Sequence, residues 1–487
     1  MDRFAVLYNK MKMDYDRGKY KAALRQLYAL PQKTRIPEEK EWLYHQAMGM
    51  CLFWLGNVEE AIRHMEQSLA DPGDMPLSAR QRTYSNYAMY LHYLPDISDE
   101  EMRRVHFRYG QFFQEIIPFS HRRAEKEKIR VAYLSPDIVD HIVTNFAIQL
   151  FAQYDRKRFD VVLYSVGQRK NEVTDWLFGM VNGGRDLSKL SPQEAAQRIY
   201  EDEIDILFDL AGHTEGGITL QIASFKPAPV QISGIGYFDT TGLPAMDYFL
   251  SDGFCDPPEN DALFTERLIR LPRSHFCYTP SERFQDVPQD CAVHSPVVFG
   301  CFNNFSKITD EMLQLWRCLL DRVPGSRLLL KNVSPLKEPV DRMKQRCRQM
   351  GFPQDAVEIR QGTQDYQQDY LDIDIALDTY PYPGGGTTCD ALYLGIPVVT
   401  RYGRRHGSRF GYSLLENIGI GELAAPTAEG YLDRAVALAQ DPELLLALRR
   451  RLSRMMQASP VMDARNYVRE VEAAYERVWA EFLETQK

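Results

Sequence analysis

The chain has 487 residues, enough for the cores of about three domains, and its 44% hydrophobic and 26% charged residues are typical of a soluble globular protein. A net charge of −9 argues against bulk attraction to nucleic acid or anionic lipid. No apolar run approaches the roughly 18 residues of a membrane-spanning helix, and the first residues lack the apolar core of a signal peptide.

The eight cysteines are scattered along the chain, and neither a CxxC pair nor an HExxH motif is present. Familiar zinc sites depend on such spacings, so the sequence argues against zinc. In a chain of this length without an export signal, free thiols are expected rather than a disulfide framework. We therefore expect a cytoplasmic protein.

Residues 1–125 are predicted to form paired amphipathic helices and a linker. The segment from Gly18 to Leu24 recurs in form from Gly56 to Ile62, and a proline follows each unit. The spacing of the two glycines is close to the period of about 34 residues in tetratricopeptide repeats. Two roles stay open for this region: a groove for a protein partner, or a structural cap on the next domain.

Beyond this region, short apolar runs alternate with longer amphipathic stretches in two series. This pattern predicts two parallel α/β sheets, each covered on both faces by helices. We assign the first series to residues 126–290 and the second to residues 291–487, with a proline-rich break between them. Two such Rossmann-like lobes predict a ligand cleft at the carboxyl ends of their strands.

A glycine–threonine turn, residues 384–390, follows the predicted strand 373–377. We predict a glycine turn followed by a helix start that threonine caps. Glycines allow backbone N–H groups to approach a ligand, and a helix N-terminus adds unpaired N–H groups with a positive dipole. The turn is therefore a candidate phosphate site, although an ordinary strand-to-helix turn has the same pattern.

Other familiar ligand motifs are incomplete. The glycine–threonine turn lacks the lysine of a nucleotide-binding P-loop, and Gly234-Ile-Gly236 lacks the third glycine of the dinucleotide fingerprint. The G-x-S-x-G elbow of hydrolases is missing as well. Asp372-Ile-Asp374 resembles the Asp-x-Asp metal motif of some sugar transferases, but it opens a strand, so we do not assign a metal to it.

Two side chains follow predicted strands at the expected cleft. Lys307 lies just beyond the first strand of the second lobe and is the best cationic partner for a phosphate, unless it is an ordinary surface lysine. His141 follows the first strand of the first lobe and could act as a general base near neutral pH. A capping role is the alternative for His141.

Five segments, in this order and with compatible spacing, are similar to motifs of the O-linked N-acetylglucosamine transferase family of inverting glycosyltransferases, in its bacterial branch with short tetratricopeptide-like repeats. The similarity covers nearly the whole chain. The segments are 86–95, 226–231, 236–248, 302–308 and 378–397.

The resemblance implies a GT-B fold, in which two Rossmann-like lobes face each other and the second holds most of a UDP-sugar, preceded here by the helical region. It also implies transfer of a hexose or N-acetylhexosamine to Ser/Thr or Asn of a protein contacted by the repeats, with no cofactor and no obligatory metal. Two other functions stay open: a GT-B enzyme acting on a glycan or small molecule, and a repeat scaffold with a degenerate transferase site.

By resemblance, each site residue receives a role. Lys307 and Asn304 would meet the diphosphate, the turn would cradle its phosphates, and Asp390 would bind the ribose. The turn residues concerned are Gly385, Gly386, Thr387 and Thr388. On the first lobe the resemblance assigns His141, Gly236 and Tyr237 to the sugar side, and Asp202 to proton transfer.

Two departures from the family pattern fall where sugar and acceptor meet. Glycine stands in place of the usual histidine before the paired threonines. Phe238 and Asp239 replace a proline and a glycine. The donor sugar is therefore open between N-acetylglucosamine, glucose and another hexose.

Overall fold

The computed structural model describes residues 3–284 and 292–486. Its N-terminal part is helical, because apolar residues recur there at helical spacing. Gly18 and Gly56 have positive φ and end the first helix of each repeat unit, which explains why the two segments recur. The helices are α1 Arg3–Asp16, α2 Tyr20–Lys33, α3 Glu41–Trp54, α4 Val58–Ala70, α5 Leu77–Leu91 and α6 Asp99–Tyr109.

The first lobe is a seven-stranded parallel sheet in the order β3-β2-β1-β4-β5-β6-β7. Its central strands are buried on both faces, as their continuous apolar runs predict. The strands are β1 Ile129–Ser135, β2 Phe159–Ser165, β3 Gly183–Asp186, β4 Ile206–Asp209, β5 Val230–Ser233, β6 Tyr248–Asp252 and β7 Arg267–Leu271. The helices are α7 Ile142–Ala152, α8 Glu172–Met180, α9 Pro192–Glu201 and α10 Ile218–Ala223.

The second lobe is a six-stranded parallel sheet in the order β10-β9-β8-β11-β12-β13. The predicted α/β GT-B fold with a preceding helical region is confirmed. The strands are β8 Val298–Cys301, β9 Arg327–Lys331, β10 Val357–Arg360, β11 Ile375–Leu377, β12 Val398–Arg401 and β13 Ala424–Ala425. The helices are α11 Asp310–Arg322, α12 Lys337–Gln349, α13 Gly386–Tyr393, α14 Phe410–Ile418, α15 Ala428–Gln440, α16 Pro442–Ala458 and α17 Ala464–Glu484.

The last helix, α17, crosses back to the first lobe, although the sequence interpretation placed all of residues 291–487 in the second. The Tyr475 hydroxyl lies 3.0 Å from that of Tyr133 on β1, and the Tyr248 hydroxyl donates to Glu481. The apolar face of α17 packs in the same core as the first sheet and α7. The expected boundary at 290/291 lies outside the described residues.

The helical region contacts both lobes. Ser85 on α5 is hydrogen-bonded to His213 of the first lobe at 2.6 Å, and the ring of Tyr93 lies 5.1 Å from that of Tyr382 in the second. No helix among the described residues has both the length and the apolar composition needed to cross a bilayer.

Candidate active site

A cavity of about 620 Å³ lies between the two lobes, at the carboxyl ends of their strands. Its size suits a small-molecule ligand. Both lobes line it, as the arrangement of the strands predicts. The sequence-predicted residues among its lining are His141, Gly236, Asn304, Lys307, Gly385, Gly386, Thr387 and Asp390.

The glycine–threonine turn meets this cavity where α13 begins. Gly385 occupies the N-cap position, so the predicted threonine cap is wrong. The Thr387 hydroxyl donates to Asn303 Oδ1 at 2.6 Å, and the Thr388 hydroxyl donates to the Gly384 carbonyl at 3.0 Å. Because Gly385 and Gly386 carry no side chains and no side chain caps the helix, the first turn of α13 directs its N–H groups and positive dipole toward the cavity.

A buried carboxylate holds the turn in place. Asp378 Oδ1 accepts hydrogen bonds from the backbone N–H of Gly384 at 2.7 Å and from Asn303 Nδ2 at 3.1 Å. Sequence reasoning selected Asn304 and missed Asn303, whose side chain connects Asp378 with Thr387. Two adjacent asparagines after a strand carry no signal that separates these roles. Asn304 caps the short helical turn at Lys307 through the N–H of Ser306 at 3.0 Å.

Lys307 is half-buried against the same turn and is not a freely solvated surface lysine. Its ammonium donates to the Pro383 carbonyl at 3.0 Å and lies 3.6 Å from the ring centroid of Tyr382. Burial lowers the pKa of Lys307 to about 8, and the nearby Asp378 carboxylate opposes that shift. Lys307 therefore brings a cation to the cavity within reach of the α13 N-terminus.

Asp390 lies one turn into α13 and lines the cavity while being almost fully buried. Its carboxyl accepts from the Tyr278 hydroxyl at 2.5 Å and from the Tyr366 hydroxyl at 3.3 Å. Burial raises the pKa of Asp390 to about 7, and the two tyrosine hydroxyls counteract part of that rise. It offers a hydrogen-bond acceptor deep in the site.

His141 faces the cavity from the first lobe and also caps α7. Its Nδ1 accepts from the Val143 N–H at 3.4 Å and lies 3.7 Å from Asp137 Oδ2. The side chain is 34% exposed, so it is accessible to a bound ligand. Both interpretations drawn from the sequence, capping and a cleft-facing imidazole, therefore coexist in one residue.

Two glycines mark close approaches beside the cavity. A Cβ at Gly236 would lie 1.7 Å from the Leu210 carbonyl oxygen, so packing against the protein backbone alone requires glycine there. A Cβ at Gly386 would lie 2.3 Å from Cδ1 of Ile142, the residue after His141. Ile142 of the first lobe therefore occupies the space that a side chain at position 386 would need.

Three predicted site residues, Thr388, Tyr237 and Asp202, are not among the residues that line the cavity. The Tyr237 hydroxyl is 2.6 Å from Nε2 of His106, a residue of α6, so Tyr237 belongs to the contact with the helical region. Asp202 follows α9 at the opposite edge of the sheet, where it accepts from the Tyr164 hydroxyl and pairs with Arg185 at 2.7 Å. The Tyr237 hydroxyl and the Asp202 carboxylate are therefore bonded to groups that do not line the cavity.

Several cavity residues had no signal in the sequence. They come from segments that lie far apart in the chain, and all but Phe238 fall outside the motifs of the family resemblance. Phe238, one of the family departures, contacts Tyr382 with ring centroids 4.3 Å apart. The other members include Phe276, Arg283, Lys331, Tyr366 and Phe410.

The sequence profile of glycosyl transferase family 41 matches residues 113–295 and 286–471, which is most of the chain. The chain belongs to glycosyl transferase family 41. The family resemblance identified from the motifs is thereby confirmed. Because the matched residues include both lobes, the family membership extends to the cavity between them.

Relatives of this family 41 chain include plant proteins. It is 34% identical over 416 residues to a protein of Oryza sativa subsp. japonica named probable UDP-N-acetylglucosamine–peptide N-acetylglucosaminyltransferase SPINDLY. A protein of the same name from Petunia hybrida is also 34% identical, over 415 residues. Each alignment covers 82% of this chain and 44% of the relative, so the chain spans about half the length of these relatives.

One solved structure resembles this chain over its full length. The chain superposes on a mutant of the Thermobaculum terrenum O-GlcNAc transferase with a TM-score of 0.86 and 28% sequence identity. The alignment covers 100% of both chains. The helical region and both lobes are therefore arranged as in that transferase.

Proposed function

We propose that this chain is an inverting glycosyltransferase that moves a hexose or N-acetylhexosamine from a UDP-sugar to a Ser/Thr or Asn side chain of a protein. One observation carries the proposal: the open N-terminus of α13, the Lys307 cation and the Asp390 carboxyl converge on one interlobe cavity. Family membership and the names of the relatives support the same chemistry.

In this proposal the diphosphate lies at the N-terminus of α13 beside Lys307. The N–H groups of the first turn and the lysine ammonium stabilise the charge that develops on the departing UDP, so no obligatory metal or cofactor is needed for this step. Asp390 accepts from the ribose hydroxyls. The acceptor oxygen or nitrogen displaces UDP directly at the anomeric carbon, which inverts its configuration.

His141 lines the same cavity from the first lobe. Its exposed imidazole is the group we propose to act at the reacting centre, as an acid–base or hydrogen-bonding partner of the acceptor. Asp202 is not part of this proposal, because it lies at the far edge of the first sheet, bonded to Tyr164 and Arg185.

A protein acceptor would approach past the helical region. Tyr93, just after α5, packs on Tyr382, and Tyr382 lies directly under the Lys307 ammonium. Through Tyr93 the helical region thus contacts a residue that lines the cavity. We also propose a cytoplasmic location, with which the free thiols of the seven described cysteines are compatible.

Two measurements test the function. Calorimetry with UDP should show binding, whereas a scaffold with a degenerate site need not bind the nucleotide. Mass spectrometry of protein acceptors co-expressed with the chain, or incubated with it and several UDP-sugars, should show a hexose or N-acetylhexosamine adduct. UDP binding with transfer only to glycans or small molecules would contradict the assignment of a protein acceptor.

A further inference from the structure

A second polar cluster lies behind the cavity, buried between the two lobes. Cys255 follows β6, His275 follows β7, and His406 lies in the turn after β12. All three are at most 2% exposed. The cysteine sulfur and one nitrogen of each histidine lie within 4.8 Å of one another. The cluster therefore joins two groups of the first lobe to one of the second.

Each histidine is held by its own buried carboxylate. His275 Nδ1 lies 2.5 Å from Asp252 Oδ2, and His406 Nδ1 lies 2.6 Å from Asp256 Oδ2. A carboxylate at Nδ1 places the proton there and leaves the Nε2 lone pair available. This is the arrangement by which proteins orient histidine ligands of a metal.

One nitrogen of the cluster has no partner of its own. His275 Nε2 is buried, and among the described residues no atom forms a hydrogen bond with it. Buried polar atoms are normally satisfied, so an unpartnered imidazole nitrogen calls for a ligand. The two buried aspartates add negative charge that a cation would balance.

We propose that Cys255, His275 and His406 bind one zinc ion that joins the two lobes. A thiolate with two imidazoles is a ligand set that favours Zn²⁺ over Mg²⁺ or Ca²⁺. Tetrahedral zinc with bonds of about 2.0–2.3 Å separates its ligand atoms by roughly 3.3–3.7 Å. The ligand atoms of the cluster lie within 4.8 Å of one another, so zinc binding needs a contraction of at most about 1.5 Å. On binding, the Cys255 thiol gives its proton to solvent.

The fourth zinc position is open to a water molecule or to the Ser413 hydroxyl. Ser413 lies on α14 of the second lobe and donates to Asp252 at 2.8 Å. The rings next to the cluster, Phe276 and Phe410, also line the interlobe cavity. A metal at this place would fix the lobes relative to each other at the rear of the cavity, independently of the donor.

The test is the metal content of the purified full chain, without an affinity tag and after expression in zinc-supplemented medium. Inductively coupled plasma mass spectrometry should find about one zinc ion per chain. Cys255→Ala and His406→Ala should lose it, whereas Cys347→Ala, which removes another buried thiol from α12, should retain it. Cobalt(II) added to the metal-depleted protein should give a thiolate-to-cobalt charge-transfer band that Cys255→Ala lacks.

A wild-type chain without zinc, or zinc that persists in folded Cys255→Ala, would overturn the proposal. If Cys255→Ala does not fold, the cobalt spectrum of the wild-type chain decides. Absence of the charge-transfer band then counts against a thiolate-bound metal. UDP calorimetry on the same preparations keeps the two proposals separate, because donor binding can fail while the zinc remains.

Discussion

Lys307 has surroundings that make its charge sensitive to pH. Burial lowers its pKa to about 8, whereas a bound diphosphate would raise it again. As the pH rises through about 8, the free protein loses the ammonium, so UDP affinity should fall. Calorimetry between pH 6.5 and 9.5, in buffers of different ionisation heat, should show proton uptake on binding near pH 8. Affinity that stays constant across this range would contradict the assignment.

Removing the Lys307 charge should abolish measurable transfer. Loss of one group that stabilises developing charge typically lowers turnover by about 10²–10³-fold. We expect Lys307→Ala to lose at least that much while its circular dichroism stays unchanged. Lys344→Ala, on the exposed side of α12, is the matched control and should stay active. Near-normal turnover of Lys307→Ala would refute the donor-site assignment.

His141 has two roles that substitution can separate. His141→Asn keeps a side-chain acceptor for the Val143 N–H, whereas His141→Ala also loses the cap, at about 1 kcal/mol of stability. If the imidazole acts at the reacting centre, both variants should lower kcat more than donor affinity. Equal losses in kcat and donor affinity would point to a role in binding alone. Full activity of His141→Asn would show that His141 serves only as the cap of α7.

At the scale of elements, the start of α13 depends on contact between the lobes. An alanine Cβ at Gly386 would collide with Ile142, whereas one at Gly385 would meet nothing nearer than Phe146 at 4.0 Å. We therefore expect Gly386→Ala to raise KM for the donor more than Gly385→Ala does.

Shortening the opposing side chain should relieve that collision. The Gly386→Ala/Ile142→Ala double variant should recover most of the lost donor affinity, because truncation of Ile142 removes the Cδ1 and Cγ1 atoms that the new Cβ would meet. Steady-state kinetics with several UDP-sugars measure both effects. Purely additive losses would show that the glycine acts through backbone conformation instead.

At the scale of the whole molecule, α17 ties the end of the chain to the first sheet. Tyr475 is 3% exposed and packs against Tyr133, so Tyr475→Ala should destabilise the protein by about 3 kcal/mol. Trp176→Ala, whose side chain is 54% exposed, should change stability by less than about 0.5 kcal/mol. The stabilities of the two variants are compared by their midpoints of unfolding in denaturant. Equal midpoints for the two variants would show that α17 adds little to the first lobe.

The periodicity of the apolar residues and the order of the motifs predicted most of the fold. Continuous apolar runs predicted both parallel sheets because buried strands need such runs, and the motif series predicted the family. The helix start at residue 386 was also predicted, but its cap was not: glycine and threonine both suit an N-cap, and only the packing of Thr387 on Asn303 decides between them.

The sequence by itself determined the architecture, the family and the cluster of donor-site motifs, because these depend on local pattern and chain order. The tertiary structure alone decided which candidates share a cavity. It placed Asp202 and Tyr237 elsewhere, introduced Asn303 and Ile142, and brought Cys255, His275 and His406 together across two lobes. Such contacts join residues far apart in the chain, and no local spacing encodes them.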